Sequence, residues 1–258
     1  HDTTMEEMHH DSHALDFGGR PEALRSVVDG ERLRFAYQSN PTFAMEISRI
    51  EPLPHQHIAV YEHMLPQPRL RFLLADDAGA GKTIMTGLYV REMLSRGLLR
   101  RILIVSPAGL VGNWQRELRR LFQLDFRIVT GADAADDNPF AGRDGDQVIV
   151  SVDTLARGRA FDRLGEADTE AYDLVVFDEA HKLSARRDVG YRIRKTQRYQ
   201  LTEAIAGVSE AQADWTLPWE THHLLLLTAT PHMGKNFRYY CLWRLLQPDA
   251  LPTQEAFE

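Results

Sequence analysis

The stretch DDAGAGKT at residues 76–83 carries the residue types that bind a phosphate. It follows a short apolar run, RFLLA (71–75), and precedes an apolar helical stretch, IMTGLYVREML. A strand, a glycine-rich turn and a helix opening on Gly-Lys-Thr aim successive backbone N–H groups and the positive end of a helix at one anion. Gly79 and Gly81 let the backbone approach a phosphate with no Cβ in the way. The candidate nucleotide contacts are Ala78, Gly79, Ala80, Gly81, Lys82 and Thr83, with Lys82 reaching the β- and γ-phosphates and the Thr83 hydroxyl binding Mg2+. The strict pattern G-x-x-x-x-G-K-[ST] asks for glycine where this chain has Asp76, so the loop is a variant P-loop. Taken alone, an accidental glycine turn would look the same.

Two further strand ends complete the pattern. DLVVFDEAH (173–181) is an apolar strand ending in consecutive carboxylates. Ligands of open parallel sheets bind at strand C-terminal ends, where Asp178 can hold Mg2+ and Glu179 can accept a proton from an attacking water. In LLLLTATP (224–231), Thr228 and Thr230 either cap the strand before Pro231 or bond to the acidic strand and relay the state of the nucleotide. Each motif alone has an ordinary structural explanation. The three in this order imply nucleotide hydrolysis, with Lys82 and Glu179 as the catalytic pair.

These motifs need a parallel sheet to position them. Candidate strands are 71–75, 101–106, 126–130, 147–151, 173–178 and 223–230, most of them continuous apolar runs of the kind found in strands covered on both faces. Helical stretches at 82–96, 109–122, 153–164, 195–206 and 235–246 alternate with them. The predicted fold is a three-layer α/β P-loop domain spanning 55–250, with a mainly parallel sheet and a small N-terminal extension. That extension (21–54) contains RLRFAY and FAMEIS around the turn QSNPT, a possible β-hairpin. Segments 131–146 and 208–220 read as loops. Residues 1–20, with His1, His9, His10 and His13, read as a flexible tail rather than a metal site.

Composition narrows the setting. The single cysteine, Cys241, excludes an intrachain disulfide and a multi-cysteine metal cluster, and suits a reducing cytosol. No apolar run approaches the ~20 residues of a membrane span, so no membrane partner is expected. The opening HDTTMEEMHH is polar, acidic and without an initiator methionine, which reads as the start of a fragment or of an ordered portion. A net charge of −7 argues against indiscriminate polyanion binding. The charge is unevenly spread, however: 91–120 carries seven arginines against two glutamates, and 186–198 carries five arginines and a lysine against Asp188. These are either solvated helix faces or a local phosphate-tracking face.

The order DDAGAGKT, ILIVSPAGLVGNWQREL (102–118), VIVSVDTLAR (148–157), DEAH, TATP resembles the first RecA-like lobe of a superfamily-two helicase motor. Asp76 together with Pro107, Leu110, Asn113, Trp114 and Glu117 is similar to the Swi/Snf branch of double-stranded DNA translocases. The resemblance implies ATP and Mg2+ as cofactors, a nucleic-acid partner with DNA favoured over RNA, and a second RecA-like lobe of the same polypeptide, absent from this sequence, that brings the arginine finger. Gln56 matches the upstream glutamine that reads adenine. Ser106 and Pro107, and then Ser151 and Thr154, match strand-contacting motifs. His181 couples the acidic strand to Thr228 and Thr230. Trp114 reads as a core residue of an amphipathic helix, the alternative being a base-stacking platform. The spacing from DEAH to TATP is long for the branch and holds the basic run 184–200, a nucleic-acid loop or a family-specific insertion. SRIEPLPHQHIAVYEHML, ADDAGAGKT and TATPHMG also resemble bacterial phage-defence helicases of DISARM type, which implies a cytoplasmic bacterial setting and protein partners in a multi-subunit system. An RNA-directed remodeller of the same build and a nucleotide-gated adaptor without useful turnover are the alternatives.

Overall fold

Six apolar runs pair into one parallel sheet in the computed structural model, which describes residues 21–39, 42, 45, 47–157, 159–187, 193–208, 213, 215–231 and 236–251. The strands are β1 (Arg71–Ala75), β2 (Ile102–Ser106), β3 (Arg127–Val129), β4 (Gln147–Ser151), β5 (Leu174–Phe177) and β8 (His223–Thr228). A separate antiparallel hairpin, β6 (Ala185–Arg187) with β7 (Ile193–Lys195), lies between the last two in sequence. The order across the sheet is β1-β8-β5-β2-β4-β3, with every pairing parallel.

Side chains of a strand alternate between faces, and here both faces are apolar. Leu103 and Val105, Val148 and Val150, Val175 and Phe177, and Leu224 and Leu226 join one buried cluster. Their neighbours Ile102, Ile104, Ile149, Leu174, Val176, Leu225 and Leu227 join the other. Continuous apolar runs are what two covered faces require. The second cluster is closed by three helical segments. These are α2 (Pro54–His57), which continues as a π-helical segment Ile58–Met64, then α3 (Lys82–Ser95) and α4 (Val111–Phe122). The first is closed by α5 (Gly131–Asp136), α6 (Val152–Ala156), α7 (Arg159–Leu164), α8 (Gln197–Ala206) and α9 (Asn236–Leu246), α1 being the N-terminal helix Pro21–Ser39. The three-layer α/β architecture is the one the sequence predicts. No helix among the described residues is long and apolar enough to cross a membrane.

The register fixes where the motifs meet. Ala75 at the end of β1 lies beside Thr228, Phe177 beside Leu226 and Val105, and Ser106 beside Ser151. Every motif therefore emerges at the same edge of the sheet.

Three local expectations are corrected. RLRFAY is not a strand but the second half of α1, and Met45 and Ile47 of FAMEIS are helical too. Pro21 in the first turn and a run of Glu, Ala, Leu and Arg favour a helix over the short alternation. Segment 131–146 is no plain loop: Thr130 accepts from the Asp133 N–H, and the Asp133 side chain accepts from the Thr130 N–H at 2.8 Å, a capping box that starts α5. The helix expected over 153–164 is two, α6 and α7, parted where Arg157 leaves the helical region. Residues 1–20 lie outside the described residues, as do 188–192 in the basic run.

At the opposite edge, His222 precedes β8 and His223 opens it, with Arg25 of α1 nearby. His223 Nδ1 accepts the Leu70 N–H at 2.9 Å, and its buried Nε2 has no partner among the described residues. Burial, with Arg25, Arg69 and Arg71 nearby, pushes His222 down to about 4 from its ordinary 6.5. Burial pushes His223 well below the same value. The unfolded chain thus binds protons near pH 6.5 that the folded chain refuses. Stability is full above that value and is lost as pH falls toward 4, with a slope of up to about 1.4 kcal/mol per pH unit for each histidine. Urea midpoints measured from pH 7 to 4.5 should fall accordingly, and His222→Gln should flatten the decline. A profile that is flat in the wild type would contradict these assignments.

Candidate nucleotide-binding site

Between β1 and α3 the chain makes a tight turn whose backbone only glycine accepts at two places. Gly79 has φ 88° and Gly81 φ 86°, in the left-handed region that side chains disfavour. A Cβ on Gly81 would lie 2.2 Å from Gln56 Nε2, whereas one on Gly79 would meet nothing within 4 Å. One glycine is therefore pinned against the protein and the other faces open space. Gly81 is also the N-cap of α3, and it offers no side-chain cap. The first-turn amides of a 14-residue helix accordingly point at the loop. Lys82 lies over the same turn, donating to the Asp76 carbonyl at 2.6 Å and the Asp77 carbonyl at 2.8 Å. Thr83 stands half-buried beside it.

Gln56 is buried and holds this loop from behind. Its Nε2 donates to the Ala80 carbonyl at 3.0 Å and its Oε1 accepts the Leu53 N–H at 3.0 Å. The His55 ring nitrogen Nε2 lies 3.1 Å from the same Ala80 oxygen. Both Gln56 amide atoms are thus engaged by backbone, a strut geometry. His55 is a loop contact that the sequence reading missed, its neighbour in the motif being the only pointer.

The acidic pair stands across from the loop. Asp178 follows β5 and its two oxygens are both occupied: Oδ1 accepts the Glu179 N–H at 2.8 Å and Oδ2 the Trp114 indole N–H at 3.0 Å. Burial raises the Asp178 carboxyl above its ordinary value, against the lowering effect of these bonds and of Lys82. Glu179 sits in the left-handed region at φ 53°, with a partly exposed side chain. His181 Nδ1 lies 3.1 Å from Glu179 Oε2 and 3.2 Å from Thr228 Oγ1, and Thr228 Oγ1 accepts the Thr230 N–H at 3.1 Å. Glu179, His181, Thr228 and Thr230 thus form one contact chain across β5 and β8. Burial lowers the His181 pKa despite Glu179, so the ring is neutral at pH 7.

Asp178 and Thr83 are hard oxygen donors of the kind Mg2+ prefers. A buried carboxylate with a raised pKa gains from a cation, so these residues fit the ion.

The four strand-contact candidates divide. Ser106 is wholly buried, with its hydroxyl 3.3 Å from the Pro107 carbonyl. Ser151 is buried and caps α6, accepting the Thr154 N–H at 2.9 Å. Both hydroxyls serve the fold, while Pro107 and Thr154 are half-buried at the rim. Trp114 is a core residue, 3% exposed, and no platform for a base. The basic stretches are also less open than their composition suggests. Arg96 pairs with Glu92, Arg100 with Glu170 and the buried Arg101 with Asp146. In the second stretch Lys195 pairs with Glu203 and Arg198 with Asp153.

A parallel sheet with a glycine-rich loop after β1, carboxylates after β5 and threonines ending the strand between them defines a RecA-like P-loop lobe. The chain belongs to the SNF2-related domain family, whose model matches residues 55–200. It is similar to the Sulfolobus solfataricus SWI2/SNF2 ATPase core in complex with double-stranded DNA (TM-score 0.59, 20% identity, 82% of this chain and 39% of that one). The Sulfolobus solfataricus SWI2/SNF2 ATPase core domain matches at TM-score 0.55 and 18% identity, over 82% of this chain and 38% of that one. The chain thus spans about two fifths of the length of these relatives, and its fold is that of the first RecA-like lobe.

Two substitutions test the loop. Lys82→Ala should weaken ATP binding by tenfold or more, on the order of a lost charge-assisted contact to a phosphate, and leave the fold intact. Gly81→Ala should weaken it as well and cost roughly 1–2 kcal/mol from the left-handed backbone alone. Calorimetric titration and thermal melts read both effects. ATP affinity unchanged in Lys82→Ala would remove the assignment.

Proposed function

We propose that this chain is the ATP-binding and ATP-hydrolysing lobe of a nucleic-acid-dependent motor that translocates on double-stranded DNA. The observation that carries the reading is the meeting of Lys82, Asp178, Glu179, His181 and Thr228 at adjoining strand ends. Lys82 and the α3 amides bind and orient the phosphates. Thr83 and Asp178 would hold Mg2+, which when bound neutralises phosphate charge. Glu179 is left with a partly exposed carboxylate to orient a water and take its proton, and neutral His181 links that carboxylate to Thr228. A change at Glu179 would thereby reach β8 and, beyond it, α9.

The DNA substrate is supported by the family and by the DNA bound to one similar ATPase core. The exposed turn at Ala108 and Gly109, together with Pro107 and Thr154, lies on the edge where a strand would pass. The phage-defence assignment and its multi-subunit partners rest on the three segments quoted above and form the narrower part of the proposal.

Phosphoryl transfer needs positive charge aimed at the transition state, and a finger arginine contributes about 10³–10⁵ in turnover. In keeping with the family resemblance, that charge is assigned to a second lobe. Residues 1–258 alone should bind ATP and hydrolyse it far below about 1 s⁻¹, the low end for phosphoryl-transfer enzymes. Joined to a second lobe, they should show turnover stimulated by duplex DNA. In that protein Glu179→Gln should bind ATP and fail to hydrolyse it, whereas Asp178→Ala should lose the Mg2+ dependence of binding. Equal loss of ATP binding in both variants, or fast turnover by residues 1–258, would contradict this division of roles.

A further inference from the structure

Asp178 is held by two donors of different kinds. The Glu179 N–H at 2.8 Å is local, the bond a carboxylate makes on folding back to the next amide. The Trp114 indole N–H at 3.0 Å comes from another element, α4, 64 residues away in sequence. One donor on each oxygen fixes the plane of the carboxylate and leaves the second lone pair of each oxygen outward. The indole is a donor only. It can anchor a carboxylate but cannot ligate a cation, so it orients Asp178 without competing for the metal. Trp114 is itself fixed, buried in one cluster with Leu118 and Phe122 of its own helix and with Leu88 of α3. It also sits four residues past the 3-10 turn Ala108–Leu110, so α4 joins the exposed edge after β2 to the carboxylate after β5.

We propose that Trp114 is a positioning residue that sets the Asp178 carboxylate in the orientation that meets Mg2+, tying the metal ligand to α4. The inference rests on the nucleotide-site reading above and adds a residue to it. Trp114→Phe keeps an aromatic core residue while it removes the donor and part of the indole volume, the latter controlled by a second variant. The measurement is binding of a fluorescent ATP analogue to the 258-residue chain across a Mg2+ titration, with a metal-free arm containing chelator. Trp114→Phe should raise the Mg2+ concentration at half-saturation roughly tenfold, the low end of what losing an outer hydrogen-bond partner costs a metal site. Affinity without metal should stay unchanged. Val111→Ala, a packing defect on the same helix with the indole donor intact, should lower the melting temperature and leave the Mg2+ midpoint in place. An unshifted midpoint in Trp114→Phe, or an equal shift in Val111→Ala, overturns the proposal. A wild type whose nucleotide binding ignores Mg2+, together with a Lys82→Ala variant that binds normally, overturns the site reading itself. If Trp114→Phe does not fold, a chain with Trp215, Trp219 and Trp243 changed to Phe leaves Trp114 as the sole fluorophore. Paramagnetic Mn2+ with ATP should then quench its emission where Mg2+ with ATP does not, and absence of quenching overturns the proposal.

Discussion

Thr228 can meet His181 and stand beside the P-loop only because β8, the last strand of the sheet in the chain, is inserted between β1 and β5. Parallel hydrogen bonding on both sides locks its register, Ala75 against Thr228 and Phe177 against Leu226. A slip of one residue would reverse every side chain on β8 and drive Leu225 and Leu227 out of one cluster and into the other. Leucine fills both faces, so burial holds the strand in the sheet while the polar ends set the register: His223 Nδ1 accepts the Leu70 N–H at one end and Thr228 meets His181 at the other. The Asp76 N–H donates to the Thr228 carbonyl at 3.1 Å, which carries the ladder one step past β1 into the loop. Fold and site are joined at that bond.

Much of this was legible in the residues because the strands are covered on both faces and therefore read as plain apolar runs. The glycine loop and the DEAH and TATP ends could be placed on strand termini for the same reason. Strand order was not legible, since nothing local says that β8 lies between β1 and β5. The role of Trp114 was half legible: its spacing with Leu118 and Leu121 marks a buried helix face, but which carboxylate its N–H reaches depends on the strand order. In helix α1 a six-residue alternation mimics a strand, and Pro21 in the first turn of a nineteen-residue helix is the stronger signal. The capping box of α5 is legible as Thr130 and Asp133, three residues apart.

Charge was the least legible property. An arginine count over a window cannot see partners far along the chain, such as Glu170 for Arg100, Asp146 for Arg101 and Asp153 for Arg198. Arg101 is almost wholly buried between Asp146 and the Phe140 and Gly142 carbonyls, with its guanidinium 4.7 Å above the Tyr172 ring. Glu203, also buried, accepts from both Lys195 and Arg244, which binds the β6–β7 hairpin to α8 and α9. Removing one member of such a buried set costs roughly 3–5 kcal/mol because it strands the other charge. Among the described residues of the insertion, Lys195 and Arg198 are tied to the lobe by ion pairs.

The central claim is that one nucleotide spans the P-loop and the strand end of β5. A crystal structure of the chain with a slowly hydrolysed ATP analogue and Mn2+ tests it most directly. The account predicts phosphate density on the amides of residues 79–83 and an anomalous manganese peak between the Thr83 hydroxyl and the Asp178 carboxylate. A nucleotide seated elsewhere, such as the cleft lined by Arg91, Arg127 and Arg143 at the far edge, or a manganese peak away from Asp178, would contradict it.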